Sequence, residues 1–171
     1  ILFAADHGEM LGDHLLFQKA KPYQGSIQVP MFLSGPERYV GKHHRVCHDL
    51  VELRDVMPTL LDLAGVKIPE TVDGVSMLGA VDREYIHGEH SLGMDSMHFI
   101  VTKTDKYIWY SQTGKELYFD LVNDPHESHN AIGEEPFAQR ISYLRQKLIE
   151  ELDGREEGYS DGTQLIVGRP P

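Results

Sequence analysis

The second half of the chain carries the pattern that most restricts its fold: short runs rich in β-forming residues, separated by turn residues. The runs cover residues 84–89, 97–102, 106–111 and 116–121, and their composition predicts four strands. The last three lie close enough together to form an antiparallel meander. Beyond them, apolar residues recur at helical spacing, at Phe137, Ile141, Leu144, Leu148 and Leu152. This spacing predicts an amphipathic helix that covers one face of the sheet.

The first half has the pattern of an α/β domain. Two short apolar runs, residues 1–5 and 29–33, are typical of strands buried on both faces. A helix is predicted after them, with Asp55 as its N-cap, Pro58 in its first turn and Gly65 at its end. Its apolar face would consist of Val56, Leu60, Leu61 and Ala64.

These patterns and the composition set the organisation of the chain. Residues 1–82 are predicted as the α/β portion, ending in a loop from residue 66, and residues 83–153 as a small antiparallel-sheet-plus-helix subdomain. Residues 154–171 are predicted as a polar tail that wraps or frays. The formal charge of −11 and the pI near 5.3 argue against nucleic acid or an anionic membrane as partner. The single cysteine, Cys47, excludes an internal disulfide and leaves bacterial cytoplasm and periplasm both open.

Chemistry-bearing residues follow the first apolar run directly, at Asp6, His7 and Gly8. A carboxylate at the end of a buried strand needs a cation or several hydrogen-bond donors, and a divalent metal meets that need. The structural alternative is that Asp6 caps a turn, His7 is exposed and Gly8 serves the turn geometry. Lys19 and Lys21 come next. A lysine beside a metal would bind an anionic oxygen of a sulfate or phosphate ester, whereas the alternative is a solvated lysine.

The order of these residues resembles that of the sulfatases, which belong to the alkaline phosphatase superfamily. The resemblance covers about residues 1–152. It rests first on Asp6-His7-Gly8-Glu9-x-Leu11-Gly12-Asp13-His14, then on Lys19 with Tyr23 four residues later. It continues in Pro58-Thr59-Leu60-Leu61-Asp62-Leu63-Ala64-Gly65, in Arg83-Glu84-Tyr85-Ile86-His87-Gly88-Glu89-His90, in Asp105-Lys106-Tyr107-Ile108-Trp109 and in Glu116-Leu117-Tyr118-Phe119-Asp120. The implied fold is α/β: the C-terminal part of an alkaline-phosphatase-like mixed sheet, followed by a small four-stranded antiparallel sheet packed on a C-terminal helix.

The resemblance also implies roles for single residues. Asp6 and His7 would be two of the ligands of a divalent metal, and Lys19 would contact the sulfate as a catalytic and substrate-binding residue. Lys21 does not fit the family's spacing. His14, in the same loop as the metal triplet, would face the substrate or support the site. His87 and His90 would lie at the rim of the substrate pocket, although residues three apart on a strand face opposite sides.

The implied cofactors are one metal ion and a formylglycine nucleophile. Calcium is the first choice for the metal, but calcium prefers oxygen ligands, and the imidazole of His7 leaves manganese or zinc open. The formylglycine is expected upstream, in a missing N-terminal half of the same protein, together with an Asp pair that completes the metal site. Ser34-Gly35-Pro36-Glu37-Arg38 fits the Ser-x-Pro-x-Arg pattern that marks formylglycine precursors, but it lies downstream of the metal triplet and is interpreted as a turn that ends a strand.

Three further groups are interpreted as structural. His43, His44, Cys47 and His48 lack the paired spacing of a zinc site. Asp124 and Glu127 are assigned to a turn that leads into a helix, and Trp109 with the tyrosines of the meander to the core.

The sequence therefore predicts the C-terminal part of an enzyme that hydrolyses small-molecule or glycan sulfate monoesters, inactive as this chain alone. The alternatives are a phosphodiesterase or phosphonate monoester hydrolase of the same superfamily, and a non-catalytic interaction domain. The organic half of the substrate and the oligomeric state are not predicted.

Overall fold

A sheet of four antiparallel strands, each paired with the next along the chain, dominates the second half of the molecule. The structure, a computed structural model, describes residues 1–41 and 46–170. Each strand coincides with a predicted run to within two residues, and the first run joins the meander as its edge strand. The strands are β3 (Ile86–His90), β4 (Met97–Val101), β5 (Asp105–Tyr110) and β6 (Glu116–Asp120).

The central strand β5 is buried along its whole length because both faces of the sheet are covered. Tyr107 and Trp109 belong to the core cluster on the side of the C-terminal helix. Ile108 and Tyr110 belong to a second cluster on the opposite face, against which Tyr23 packs. The interpretation of Trp109 and the meander tyrosines as core residues is confirmed for Tyr107, Trp109 and Tyr110.

The C-terminal helix α4 (Ala138–Leu152) packs on one face of this sheet. Four of the five residues of the predicted apolar stripe are buried, namely Ile141, Leu144, Leu148 and Leu152. Phe137 lies in the 3-10 turn that precedes the helix and packs partly buried against the same cluster. The predicted helix and the face that it buries are therefore confirmed.

The first half contains a second, smaller sheet. Its strands β1 (Leu2–Ala4) and β2 (Met31–Leu33) pair antiparallel, with Phe3 opposite Phe32. The two phenyl rings stack with centroids 5.0 Å apart, yet the residues are 47% and 54% exposed. The prediction of strands buried on both faces is wrong for the described residues, because no layer of these residues covers the phenyl face of the pair.

The α-helices among the described residues of this half are α1 (Gln24–Ile27), α2 (Glu37–Val40) and α3 (Val56–Leu63). Gly65, at φ +68°, follows the end of α3 as predicted. Asp55 stands at the N-cap position of α3 but its carboxylate does not cap the helix; it binds Arg83 and two backbone amides instead. The predicted apolar face is also wrong as a buried surface: Pro58 and Thr59 are buried, whereas Leu60 is half-exposed.

The two remaining segments are irregular. Residues 66–82 form the predicted loop, without helix or strand. The tail wraps along the sheet: Tyr159 is buried, and the amide of Gly168 donates to the carbonyl of Ser111 at 2.8 Å. None of the helices in residues 1–41 and 46–170 has the length and apolar character needed to cross a bilayer.

Candidate functional site

Asp6 and His7 follow β1 and present both of their functional groups at the surface. The side chain of Asp6 is 87% exposed and that of His7 is 38% exposed, and His7 Nε2 lies 3.7 Å from Asp6 Oδ2. His7 Nδ1 lies 2.7 Å from the carbonyl oxygen of Gly8. Because a carbonyl can only accept, Nδ1 carries the proton and donates, which leaves the lone pair on Nε2 beside the carboxylate.

Gly8 fixes the position of this pair against the segment that carries the lysines. Its amide donates to the carbonyl of Ser26 at 2.8 Å. A Cβ at Gly8 would lie 2.1 Å from the carbonyl oxygen of Gly25. Gly8 is therefore required for the close approach of two backbones, and the sequence-based alternative of turn geometry does not describe it.

The two lysines have different environments. Lys21 Nζ pairs with Asp95 at 2.8 Å and lies 5.6 Å from the ring centroid of Tyr110. Lys19 is exposed, and among the described residues no carboxylate lies within 4.0 Å of its ammonium group. Lys19 is thus the lysine whose charge is available to an anion, in agreement with its spacing in the sequence.

An open cleft of about 660 Å³ brings most of the predicted site residues together. Asp6, His7 and Lys19 line this cleft, as do His87 and His90 of β3. A carboxylate, an imidazole and an ammonium group therefore border one solvent-filled space. Carboxylate and imidazole groups can bind a cation, and an ammonium group can bind an oxyanion.

His14 lies apart from this cleft. Its ring stacks on Tyr23 with centroids 3.9 Å apart, and its Nε2 lies 3.1 Å from the carbonyl oxygen of His126. Tyr23 in turn packs edge-on against Phe119 at 5.9 Å. His14 is not among the residues that line the cleft, so its observed contacts attach the surface loop to the second half of the molecule.

The backbone of this loop is strained. Positive φ angles occur at five non-glycine residues, namely Leu11, His14, Leu15, Gln18 and Ala20. Such conformations cost about 1–3 kcal/mol each and persist only where surrounding contacts enforce them. One enforcing contact is made by Glu9, whose carboxylate accepts a hydrogen bond from the amide of Gln18. The strained residues lie between the Asp6-His7-Gly8 triplet and Lys21, in the segment that carries Lys19.

A buried ion pair anchors the lysine segment to the sheet. Lys106 Nζ donates to Glu127 Oε1 at 2.5 Å and to the carbonyl oxygen of Pro22 at 2.7 Å. Glu127 Oε2 accepts from the amide of Gln24 at 2.6 Å. Burial lowers the pKa of Lys106 to about 8, against the opposing effect of Glu127. The structural interpretation of Glu127 is confirmed, and its partner Lys106 was not predicted.

Sequence reasoning also missed the partner of His87. His98 on β4 lies diagonal to it, because Glu89 pairs with His98 across the two strands. His87 Nε2 and His98 Nδ1 are 3.4 Å apart. Burial lowers the pKa of both imidazoles, that of His98 to about 4. The signal was available in the alternation of the two runs, but it required their register, which the sequence leaves open.

The structure also describes most of the residues that were interpreted as structural between β2 and α3. Ser34, Gly35 and Pro36 join β2 to α2, which confirms a turn that ends a strand. Cys47 is exposed. His43 and His44 lie outside the described residues.

The metal implied by the resemblance can be tested against this geometry. Asp6 and His7 supply an oxygen and a nitrogen donor, and the carbonyl of Gly8 orients the imidazole as such carbonyls do for metal-bound histidines. These two residues fit part of a divalent metal site. They do not make a complete ligand set, since metal sites in proteins use at least three protein groups or several waters.

Comparison with known proteins gives this arrangement a family. Residues 12–154 match the family described as N-sulphoglucosamine sulphohydrolase, C-terminal. The chain is 52% identical to an arylsulfatase of Clostridium perfringens over 99% of its length and 37% of that protein.

Two solved structures share the fold of the chain. A 2-O GAG sulfatase is 23% identical with a TM-score of 0.79, over 97% of this chain and 38% of that one. A phosphonate monoester hydrolase from Silicibacter pomeroyi is 24% identical with a TM-score of 0.75, over 89% of this chain and 34% of that one. The chain thus spans less than two fifths of each of these three proteins. It belongs to the sulfatase family, within the region of that family described as C-terminal.

Proposed function

We propose that the protein to which this chain belongs hydrolyses sulfate monoesters. The observation that carries the proposal is the shared cleft of Asp6, His7 and Lys19 in a chain of the sulfatase family. The matched Clostridium protein is named an arylsulfatase. The implied nucleophile, formylglycine, is assigned to no residue of this chain.

Each of the three residues has one role in this proposal. Asp6 and His7 hold a divalent metal, for which calcium is the first choice and manganese or zinc the alternatives given by the imidazole. When bound, such a metal polarises ester oxygens as a Lewis acid. Lys19 binds a sulfate oxygen and neutralises charge that develops on the transferring group. The strained loop and the Lys106–Glu127 pair hold Lys19 in place for that contact.

The substrate is proposed to be a small-molecule or glycan sulfate ester. Support comes from the 2-O GAG sulfatase with the same fold, which is named for a glycan substrate, and from the volume of the cleft, about 660 Å³ and open to solvent. His90 and the wall formed by β3 would contact the organic half of such a substrate. The net charge of −11 disfavours anions at long range, so Lys19 supplies the local attraction that binding needs.

The decisive experiment uses the full-length protein with an aryl sulfate. Lys19→Met and Asp6→Asn are each expected to lower kcat by about 10²–10³, the cost of removing one electrostatic contact to a transition state. Lys21→Met is the matched control, because it removes the same charge from the same segment but from a lysine already paired with Asp95. Equal losses in Lys19→Met and Lys21→Met would contradict the assignment of Lys19.

The chain by itself is proposed to be inactive and to bind metal weakly, because Asp6 and His7 are only part of a ligand set and no nucleophile is assigned within it. An assay of the 171-residue polypeptide tests this. Chelator-sensitive turnover of an aryl sulfate would refute it.

A phosphonate or phosphate ester is the second candidate substrate. The nitrogen ligand His7 favours it, as does the fold shared with a phosphonate monoester hydrolase. Parallel kcat/KM measurements on sulfate, phosphate and phosphonate esters of the same phenol decide between the two. The third alternative is a non-catalytic interaction domain. It predicts that Asp6→Asn and Lys19→Met leave the measured properties of the protein unchanged.

A further inference from the structure

Two histidines and a glutamate outside the Asp6–His7 pair converge at the edge of the four-stranded sheet. His87 and Glu89 lie on the edge strand β3, and His98 lies on its neighbour β4. One atom of each faces the others: His87 Nε2 is 3.4 Å from His98 Nδ1, His98 Nδ1 is 3.3 Å from Glu89 Oε2, and His87 Nε2 is 4.0 Å from Glu89 Oε2. All three atoms lie within 4.8 Å of one another.

These separations match those of donor atoms around a tetrahedral metal ion. Zinc binds nitrogen and oxygen at about 2.0–2.2 Å, which places neighbouring donors of a tetrahedron about 3.3 Å apart. Two of the three observed separations have this value and the third is longer by less than 1 Å. An ion at the centre of the triangle would need only small side-chain rotations.

The protonation and charge of the cluster suit a cation. Burial lowers the pKa of His87 and of His98, so both imidazoles are neutral at pH 7 and each keeps a lone pair. Hydrogen bonds from Arg155 lower the pKa of Glu89, which is therefore ionised. Arg155 is the one cation in contact with the cluster in the part of the chain that the structure describes, at 2.7 Å from Glu89 Oε2. The charge of Arg155 lowers the pKa of His98, and the charge of a further carboxylate, Glu157, raises it.

The cluster lies on the face of the sheet opposite to the side chain of Phe99. A Cβ at Gly88 would meet the ring of Phe99, so these two residues face one side, and His87 and Glu89 face the other. On that other side His98 packs against Trp109 and against Tyr159 of the tail, whose ring centroid is 4.8 Å away. His87 and Glu89 also line the cleft, whereas His98 does not.

We propose that His87, Glu89 and His98 form a binding site for a divalent transition metal of the zinc class. This site is distinct from the Asp6–His7 pair, and its ion would link the edge strand β3 to β4. Two nitrogen donors and one carboxylate select zinc, cobalt or nickel over calcium and magnesium, which prefer all-oxygen sets. Water completes the coordination sphere. The ion would hold β3 and β4 together where Arg155 and Tyr159 bring the tail onto the sheet. This inference does not rest on the proposed sulfatase activity.

The test uses the full-length protein that carries both Asp6→Ala and His7→Ala. These substitutions remove the other predicted metal ligands, and the measured quantity is metal binding, so no enzymatic activity is required. After treatment with a chelator, Zn²⁺ binding is measured by competition with a chromophoric chelator, and Co²⁺ binding by its visible absorption. One ion per chain with the intense bands of tetrahedral cobalt is the expected result. Hydrogen exchange of the amides of β3, residues 86–90, should slow when zinc is added.

Substitutions locate the ion. His87→Gln and Glu89→Gln are each expected to weaken zinc binding at least about 100-fold, since even residues that only orient a ligand account for 10–100-fold. His129→Gln is the matched control, because His129 pairs with Glu134 on the surface without a third donor in the described chain. Cys47→Ser shows whether the thiol contributes, and binding should be unchanged.

The outcomes divide cleanly. Loss of the ion in His87→Gln and Glu89→Gln, with retention in His129→Gln and Cys47→Ser, supports the site. Zinc binding that is absent in the starting protein, or unaffected by both substitutions, overturns the proposal and leaves a hydrogen-bonded histidine pair only. His98→Asn is buried and could unfold the sheet, so it is interpreted only with a circular dichroism spectrum in chelator, and the two partly exposed positions decide.

Discussion

The carboxylate of Asp55 holds several backbone segments of the first half together. This carboxylate is fully buried and accepts from the amides of Glu52 and Val75 and from both terminal nitrogens of Arg83, at 2.8–2.9 Å. Burial by itself would raise the pKa of Asp55, but these hydrogen bonds together hold the pKa below its usual range. One carboxylate thus connects the turn before α3, the 66–82 loop and the start of the second half.

Asp55→Asn is expected to reduce the free energy of unfolding by about 1.5–3 kcal/mol at pH 7, because charged hydrogen bonds to Arg83 are lost, although Arg83 keeps Glu52 as a second carboxylate partner at 3.4 Å. Because the pKa of Asp55 is lowered in the folded state, its carboxylate stabilises the fold fully at pH values above the unfolded-state pKa of about 4. This stabilisation is lost as the pH falls through the folded-state pKa. The gap between wild type and variant should therefore shrink below about pH 4. Urea unfolding at several pH values measures it, with the exposed Asp73→Asn as control. A gap independent of pH would show that the charge is not the cause.

At the scale of elements, the site depends on how closely separate segments approach one another. The strand end that carries Asp6 and His7 touches the lysine segment at Gly8 and Gly25. The lysine segment is fastened in turn to β5 and to the turn after β6 by Lys106 and Glu127. Each contact couples a part of the site to a part of the scaffold far away in sequence.

Gly8→Ala is expected to displace the lysine segment, because the added methyl meets a backbone carbonyl that cannot rotate away. A misplacement of about 1 Å can reduce a rate about 10²-fold. We therefore expect a large fall in kcat/KM of the full-length protein together with a smaller change in its melting temperature. Gly79→Ala, where the methyl enters open space, is the control. Unchanged kinetics in Gly8→Ala would mean that the segment adjusts without moving Lys19.

Lys106→Met is expected to lower the free energy of unfolding by about 3–5 kcal/mol, since Glu127 then remains buried without a counter-ion. Adding Glu127→Gln should recover part of the loss, because a neutral amide costs less to bury than a carboxylate. Chemical unfolding of the double variant and of both single variants measures this. A further loss of stability on adding Glu127→Gln, as large as the loss in Glu127→Gln alone, would contradict this. The two side chains would then contribute independently and would not act as a pair.

At the scale of the whole molecule, the two sheets differ in how much of the chain supports them. The four-stranded sheet has a buried core on both faces. The β1–β2 pair has three residues per strand and half-exposed phenyl rings. A two-stranded sheet with an uncovered face is marginally stable by itself.

Amides of β1 and β2 are therefore expected to exchange with solvent through local opening, while amides of β4 and β5 exchange only through global unfolding. Hydrogen exchange of the 171-residue chain, read by mass spectrometry or NMR, tests this. In the full-length protein the protection of β1 and β2 should rise if further layers cover Phe3 and Phe32. Equal protection of both sheets in the isolated chain would contradict this ranking.

Local sequence was enough to predict the strands and the two longer helices, α3 and α4. Residues of β-forming type between turns predicted the four-stranded sheet, and helical spacing predicted α4. The binding roles of Asp6, His7 and Lys19 stay predictions. The predictions of strands and helices succeed because periodicity and turn chemistry act over a few residues. The burial of α3 and β1 was predicted wrongly, because burial depends on which other elements lie beside them.

Contacts between residues far apart in sequence depend on how the elements pack. The register of β3 with β4 brings Glu89 opposite His98 and creates the cluster with His87. The packing of Tyr23 draws His14 away from the cleft, and Lys106 finds Glu127 across the fold. Each outcome depends on a pairing or an approach between segments, and a shift of register by one residue would place every side chain of a strand on its other face. Local sequence specifies which groups are available, and packing specifies which of them meet.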